Sequence, residues 1–158
     1  MHAERGFTLI EILVVIVIIS TTISFALLAF GDFGTGRKAI VAAEEFSSYL
    51  KLVQHRALLE ANALGLVVSK DHYETYRLID NTWQAMPVKS LFHRRNLPAS
   101  IICTLHVHTK NRRGKPDIVI NTAGDMTEFT MDFGTLNQPT IVTLLGKQNG
   151  QLILQSQK

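Results

Sequence analysis

Phe7-Thr8-Leu9-Ile10-Glu11 opens a run of 24 residues, FTLIEILVVIVIISTTISFALLAF, that ends at Phe30 and carries one charge, Glu11. At about 1.5 Å per residue, a helix of this length spans roughly 36 Å, enough to cross a hydrocarbon layer of about 30 Å with some tilt. A carboxylate at that depth costs on the order of 2.5 to 3.5 kcal/mol on insertion scales, and more when unpaired. An ordinary anchor has no reason to carry that cost, so Glu11 calls for a partner.

What precedes the run is short and polar: Met1-His2-Ala3-Glu4-Arg5-Gly6. A peptidase cutting after Gly6 would free the amine of Phe7 and leave Glu11 as the fifth residue of the mature chain. Residues one and five of a helix lie about one turn apart. In a staggered stack of similar helices, the ammonium of one Phe7 would meet the carboxylate of a neighbour's Glu11. Two costly charges would then fix the register of the stack.

Three plainer readings compete. A secretory signal peptide needs an apolar core of about 7 to 15 residues and a small-residue cut site, but this run is longer and Ser24-Phe25-Ala26 is a poor site. A plain single-span anchor explains the length and leaves Glu11 unexplained. A buried soluble helix would show a polar face, and Ile12 to Ile19 is aliphatic throughout.

The stretch Arg5-Gly6-Phe7-Thr8-Leu9-Ile10-Glu11 resembles the class III signal sequence of type IV pilins and of the pseudopilins of type II secretion. The resemblance implies cleavage after Gly6 by a prepilin peptidase, N-methylation of Phe7, and Glu11 as the assembly glutamate. It further implies three segments. Residues 1–6 form a leader, 7–30 a transmembrane and assembly helix, and 31–158 a periplasmic pilin-like head that includes an amphipathic helix over 37–63. The chain would then sit in a bacterial inner membrane by a single span.

Beyond Phe30 the chain is short enough for one small domain. Cys103 is the sole cysteine, which excludes an intrachain disulfide, and within Ile101-Ile102-Cys103-Thr104-Leu105 it reads as a small packed hydrophobe on a strand. From Gly31 onward there are 15 Lys and Arg against 11 Asp and Glu. No acid lies between Asp80 and Asp117, a stretch that holds Lys89, Arg94, Arg95, Lys110, Arg112, Arg113 and Lys115. Arg94, Arg95, Arg112, Arg113 and Lys115 form a candidate basic contact surface for an acidic protein, anionic lipid or nucleic acid. The competing reading is a solvated loop.

Gly31-Asp32-Phe33-Gly34-Thr35-Gly36 predicts a bend or break after the apolar helix. Ile40, Ala43, Phe46, Leu50, Val53, Ala57 and Ala61 then recur at helical spacing, one apolar stripe suited to packing on a sheet. Strands are expected at Leu64 to Ser69, Tyr73 to Asp80, Ile101 to His108, Asp117 to Asn121, Glu128 to Phe133, Thr140 to Leu145 and Gly150 to Gln155. Lys70-Asp71-His72 and Gln148-Asn149-Gly150 read as hairpin connections, and Asn121-Thr122-Ala123-Gly124-Asp125 as a turn. The expected fold class is α+β, a long N-terminal helix on an antiparallel sheet.

Within the pilin-like proteins, Ile118-Val119-Ile120-Asn121-Thr122-Ala123-Gly124-Asp125 and the strand after it resemble the late strand-turn-strand signature of the GspH/FimT group, and Trp83 fits that group as well. The usual Pro-Asp-Gly order at that turn is absent, since Gly124 precedes Asp125 and Pro116-Asp117 lies upstream. No proline precedes Pro87, whereas many major pilins carry one within the membrane helix, which argues for a minor subunit.

Catalytic readings find little to stand on. Cys103 and His106 lie three apart on an expected strand and so face opposite ways. His106 and His108 share a face, with His93 as a conceivable third metal ligand, but nothing supplies a complete set. No phosphate-binding loop or nucleophile elbow is present. The expectation is a non-enzymatic subunit without cofactor or metal. The resemblance implies as partners the prepilin peptidase, other major and minor pseudopilins and the inner-membrane secretion platform. The alternative is a FimU/FimT-like minor type IV pilin concerned with pilus assembly or DNA uptake. DNA-binding members of that group resemble one another in an arginine-rich C-terminal motif, whereas Gln151 to Lys158 holds no arginine, so nucleic acid is not expected as a partner.

Overall fold

The computed structural model describes residues 8–30, 33–107 and 114–156, and divides into two compact units, Met1–Gly34 and Thr35–Lys158. In the first unit, α1 runs from Leu9 to Phe30. Every described side chain from Thr8 to Leu27 is exposed. The polar group in the middle of the helix is satisfied internally. Ser20 Oγ donates to the Ile16 carbonyl (2.7 Å), Thr21 Oγ1 to that of Val17 (3.0 Å), and Ser24 Oγ to that of Ser20 (2.7 Å). Hydroxyls bonded back along their own helix need no water, which suits them to hydrocarbon.

α2, Phe33–Glu60, lies in the second unit from Thr35 onward; it begins four residues before the expected 37 and ends three before the expected 63. Gly34 and Gly36 are taken into its first turn, while Gly31 and Asp32 lie outside the described residues. The end at Glu60 is set by the backbone. Ala61 turns left-handed (φ 48°), its N–H donates to the Leu58 carbonyl (3.3 Å), and Asn62 N–H donates to that of Ala57 (3.2 Å). This pair of bonds is a Schellman cap with alanine where glycine is commonest. Ala61 therefore leaves the predicted stripe, and Ile40 is only half-buried. Ala43, Phe46, Leu50, Val53 and Ala57 are buried as expected, joined by Ala39, Ala42 and Tyr49.

The strands form two antiparallel sheets where one was expected. The first has the order β3-β2-β1-β6, from β1 (Leu64–Val68), β2 (His72–Ile79), β3 (Thr82–Ala85) and β6 (Ile118–Ile120), with β4 (Arg95–Asn96) also paired to β2. The second has the order β5-β7-β8-β9, from β5 (Ile102–Val107), β7 (Phe129–Gly134), β8 (Val142–Gly146) and β9 (Leu152–Ser156). The seven expected strands are all present, with ends shifted by at most two residues. Two short ones, β3 and β4, were not foreseen. Asp80 (φ 48°) and Asn81 (φ 62°) form the two-residue turn between β2 and β3, both left-handed as a primed hairpin turn requires.

Phe46 joins the layers. From α2 its ring meets Tyr73 of the first sheet edge-on (4.9 Å, 83°) and Phe133 of the second (5.9 Å). Phe46 and Phe133 are fully buried, and Tyr73 nearly so. The same face carries one buried polar pair, Tyr49 Oη with Thr75 Oγ1 at 2.5 Å, which satisfies both hydroxyls inside the core. Close approach also demands glycine within the strands, at Gly65 and Gly146 among others. A Cβ on Gly65 would meet Pro116 at 2.5 Å, and one on Gly146 would meet the Phe129 ring at 2.1 Å. The Asn121–Asp125 turn forms as read: Asn121 Oδ1 accepts from the N–H groups of Ala123 (2.8 Å) and Asp125 (3.0 Å), with Gly124 left-handed at φ 89°.

Candidate functional site

Glu11 lies in the first turn of α1, where its N–H donates to the Thr8 carbonyl (3.1 Å). Thr8-Leu9-Ile10-Glu11 also has the sequence spacing of a capping box. An acid in a first helical turn gains about 0.3–1 kcal/mol from the helix dipole. That is less than the roughly 2.5–3.5 kcal/mol that an intramembrane carboxylate costs. Local helix chemistry alone does not offset the charge. The apolar span Leu9–Leu27 is long enough to cross a membrane, and it contains Glu11. Gly6 and Phe7 lie outside the described residues.

The candidate basic surface is only partly assembled. Arg94 reaches Glu74 (3.7 Å). Arg95, on β4 opposite Tyr73, stands over the Tyr49 ring at 4.9 Å and donates through Nη2 to the Leu91 carbonyl (3.4 Å). Lys115 is exposed just before β6, separated from β4 across the sheet by β1 and β2. Arg112 and Arg113 fall outside the described residues. Arg95 therefore serves the fold as much as the surface, because it holds a cation on the rim of the aromatic cluster. Burial raises the Tyr49 hydroxyl above its ordinary pKa, against the pull of its Thr75 bond and the Arg95 charge. Burial also pushes Tyr73 up to about 12, again opposed first by Arg95. No local sequence signal links Arg95 to Tyr49, since they meet only through the pairing of β4 with β2.

The remaining candidates have structural neighbours. Cys103 is buried, and its thiol donates to the Ser69 carbonyl (3.0 Å). Burial, and secondarily the Asp71 charge, pushes that thiol up to about 12, so it is a poor nucleophile at neutral pH. His106 is exposed on β5, with Nε2 3.6 Å from Asp132. His93 Nδ1 lies 2.6 Å from the Ser90 carbonyl, in the loop before β4 of the other sheet. His108 falls outside the described residues, and among those described no group of three His, Cys, Asp or Glu side chains gathers as a metal site.

Comparison with known proteins joins the two units. Residues 1–27 match the prokaryotic N-terminal methylation motif. The chain is 29% identical over 145 residues to type II secretion system protein H of Pseudomonas aeruginosa, covering 83% of each chain. The chain is thus similar to a pseudopilin H over most of its length. Among solved structures, the minor pseudopilin EpsH of Vibrio cholerae superposes with a TM-score of 0.63 at 18% identity, over 75% of this chain and 96% of that one. The type IV minor pilin FimU of Pseudomonas aeruginosa superposes less well, with a TM-score of 0.53 at 14% identity, over 75% of this chain and 89% of that one. At these identities both likenesses concern the fold alone.

Proposed function

We propose that this chain is a minor pseudopilin, a structural subunit of the type II secretion pseudopilus that helps to initiate or cap the filament and so supports export of folded proteins across the outer membrane. The observation that carries the reading is the similarity to protein H, which runs over 83% of the chain and accompanies a methylation motif on residues 1–27. In this reading the leader 1–6 is removed after Gly6 by the prepilin peptidase, and Phe7 is N-methylated. The 7–30 helix then holds the chain in the inner membrane while the 31–158 head stands in the periplasm. Glu11 pairs with the terminal amine of a neighbouring subunit and sets register, turning an unpaired carboxylate into a buried ion pair. The other major and minor pseudopilins and the inner-membrane platform are its assembly partners.

The test is crosslinking in native membranes, followed by purification of this chain and mass spectrometry of what comes with it. Co-recovery of other pseudopilins and the secretion platform is the expected result. Recovery of type IV pilus subunits instead would move the assignment to a minor pilin, the second reading, which the weaker FimU likeness keeps in view.

A further inference from the structure

The head holds a cleft of about 300 Å³ beside the C-terminal half of α2, lined by Arg56, Arg77, Ile79, Gln84, Met86 and Ser90 among others. Its charge is unbalanced. Glu60 ion-pairs with Arg56 through Oε1 and with Arg77 through Oε2, the latter at 2.5 Å. One carboxylate thus serves two guanidiniums and leaves a surplus positive charge at the cleft. Arg77 Nε is buried without a hydrogen-bond partner, while the side chain as a whole keeps 30% of its surface exposed. An unmet donor on a charged group is costly, and an added acceptor that draws the guanidinium into a two-point contact recovers that cost.

The surroundings suit a segment of protein. The loop that supplies Met86 and Ser90 also carries Val88 and Leu91, 86% and 78% exposed. Single exposed aliphatics are ordinary. Two on one short loop beside a cationic cleft make the composition of an interface, with apolar knobs around arginine anchors. We propose that this cleft takes the carboxylate of an acidic segment of a partner protein, an aspartate or glutamate flanked by apolar side chains. Arg77 and Arg56 anchor the carboxylate, and Val88 and Leu91 pack against its flanks. The site stands whether the assembly is a secretion pseudopilus or a pilus.

The test uses the full chain in dodecyl maltoside micelles, with the nitrogen-15 NMR signal of the Arg77 Nε–H as the readout. The probes are a short capped peptide with one aspartate between leucines, its asparagine counterpart, and sodium acetate. The aspartate peptide should shift the signal saturably, and the asparagine peptide should bind about tenfold more weakly or worse, the scale of one hydrogen bond to a charged group. Gln84→Glu places a repelling charge on an exposed residue at the rim. It should weaken the aspartate peptide similarly while the thermal melt stays unchanged. Leu91→Ser should weaken the peptide and leave acetate unaffected. The proposal fails if no probe shifts the signal, if both peptides bind alike, or if Gln84→Glu has no effect. It also fails if acetate matches the peptide at equal concentration, which would mark a small-anion site.

Discussion

α1 and α2 are both helices of more than twenty residues, and they settle their apolar surface in opposite ways. Every described side chain of α1 from Leu9 to Leu27 is exposed, whereas α2 buries one stripe and leaves Glu44, Glu45, Lys51 and Arg56 outward. α2 therefore has its partner within the chain, in the two sheets that meet Phe46. α1 has the length and apolar composition of a membrane span. Phe46 is enclosed within the head, whereas Glu11 is exposed on α1.

The sharpest way to break this contrast is truncation on both sides of it. Phe46→Ala removes the ring that touches both sheets and should lower head stability by about 3–5 kcal/mol, read by denaturant unfolding in micelles. Ile16→Ala, on α1, should stay within about 0.5 kcal/mol in the same assay. Comparable losses would show that α1 and the head share a core.

Glu11→Leu sharpens the other side. Leader removal and head stability should persist, while co-recovery of partner subunits falls about tenfold or more, the scale of losing a buried ion pair. Normal incorporation of this variant would return Glu11 to a local role as a capping-box acid. Gly6→Leu should block processing, seen as six retained leader residues in the intact mass.

Alkaline pH separates the regions again. Tyr73 and Cys103 are each raised to about 12, from ordinary values of 10.0 and 9.0. The folded head keeps those protons at a pH where the unfolded chain gives them up. The stability they contribute is complete below about pH 9 and lost as pH rises toward 12. α1 has no tyrosine or cysteine, so its helicity in micelles should survive the range in which the head melts. At neutral pH the same burial should leave Cys103 almost inert to iodoacetamide until denaturant is added. Rapid labelling of the native chain would contradict its placement.

The smallest effect tests the end of α2. Ala61 holds a left-handed backbone at φ 48°, a conformation that costs an L-residue about 1 kcal/mol. Ala61→Gly should therefore raise head stability by roughly that amount. A loss instead would mean that the alanine methyl packs.

Much of this was legible in the chain because its causes are local. An unbroken apolar run with one acid shows a span with a purpose, and the spacing of Phe46, Leu50, Val53 and Ala57 shows a face. Asn121 and Gly124, and Gly150 beyond them, announce turns because their side chains, or the lack of one, decide the allowed backbone angles. The misses have equally definite causes. β4 is two residues long and exists only because β2 offers an edge to Arg95 and Asn96. Asp80-Asn81 makes the β2–β3 hairpin without the glycine that usually marks one. Ala61 caps a helix that its own propensity would extend.

By itself, then, the sequence determined a membrane-length helix bearing Glu11, an amphipathic α2, and alternating strands with their turns, since each rests on side chains close together in the chain. Only the tertiary structure decided that the strands divide into two sheets, that β1 pairs with β6 from far along the chain, and that Arg95 spends its charge on Tyr49. It also decided that Glu60 is shared by Arg56 and Arg77. Those outcomes depend on which distant groups come within a few ångströms once Phe46 has drawn both sheets onto α2, and no local pattern encodes that proximity.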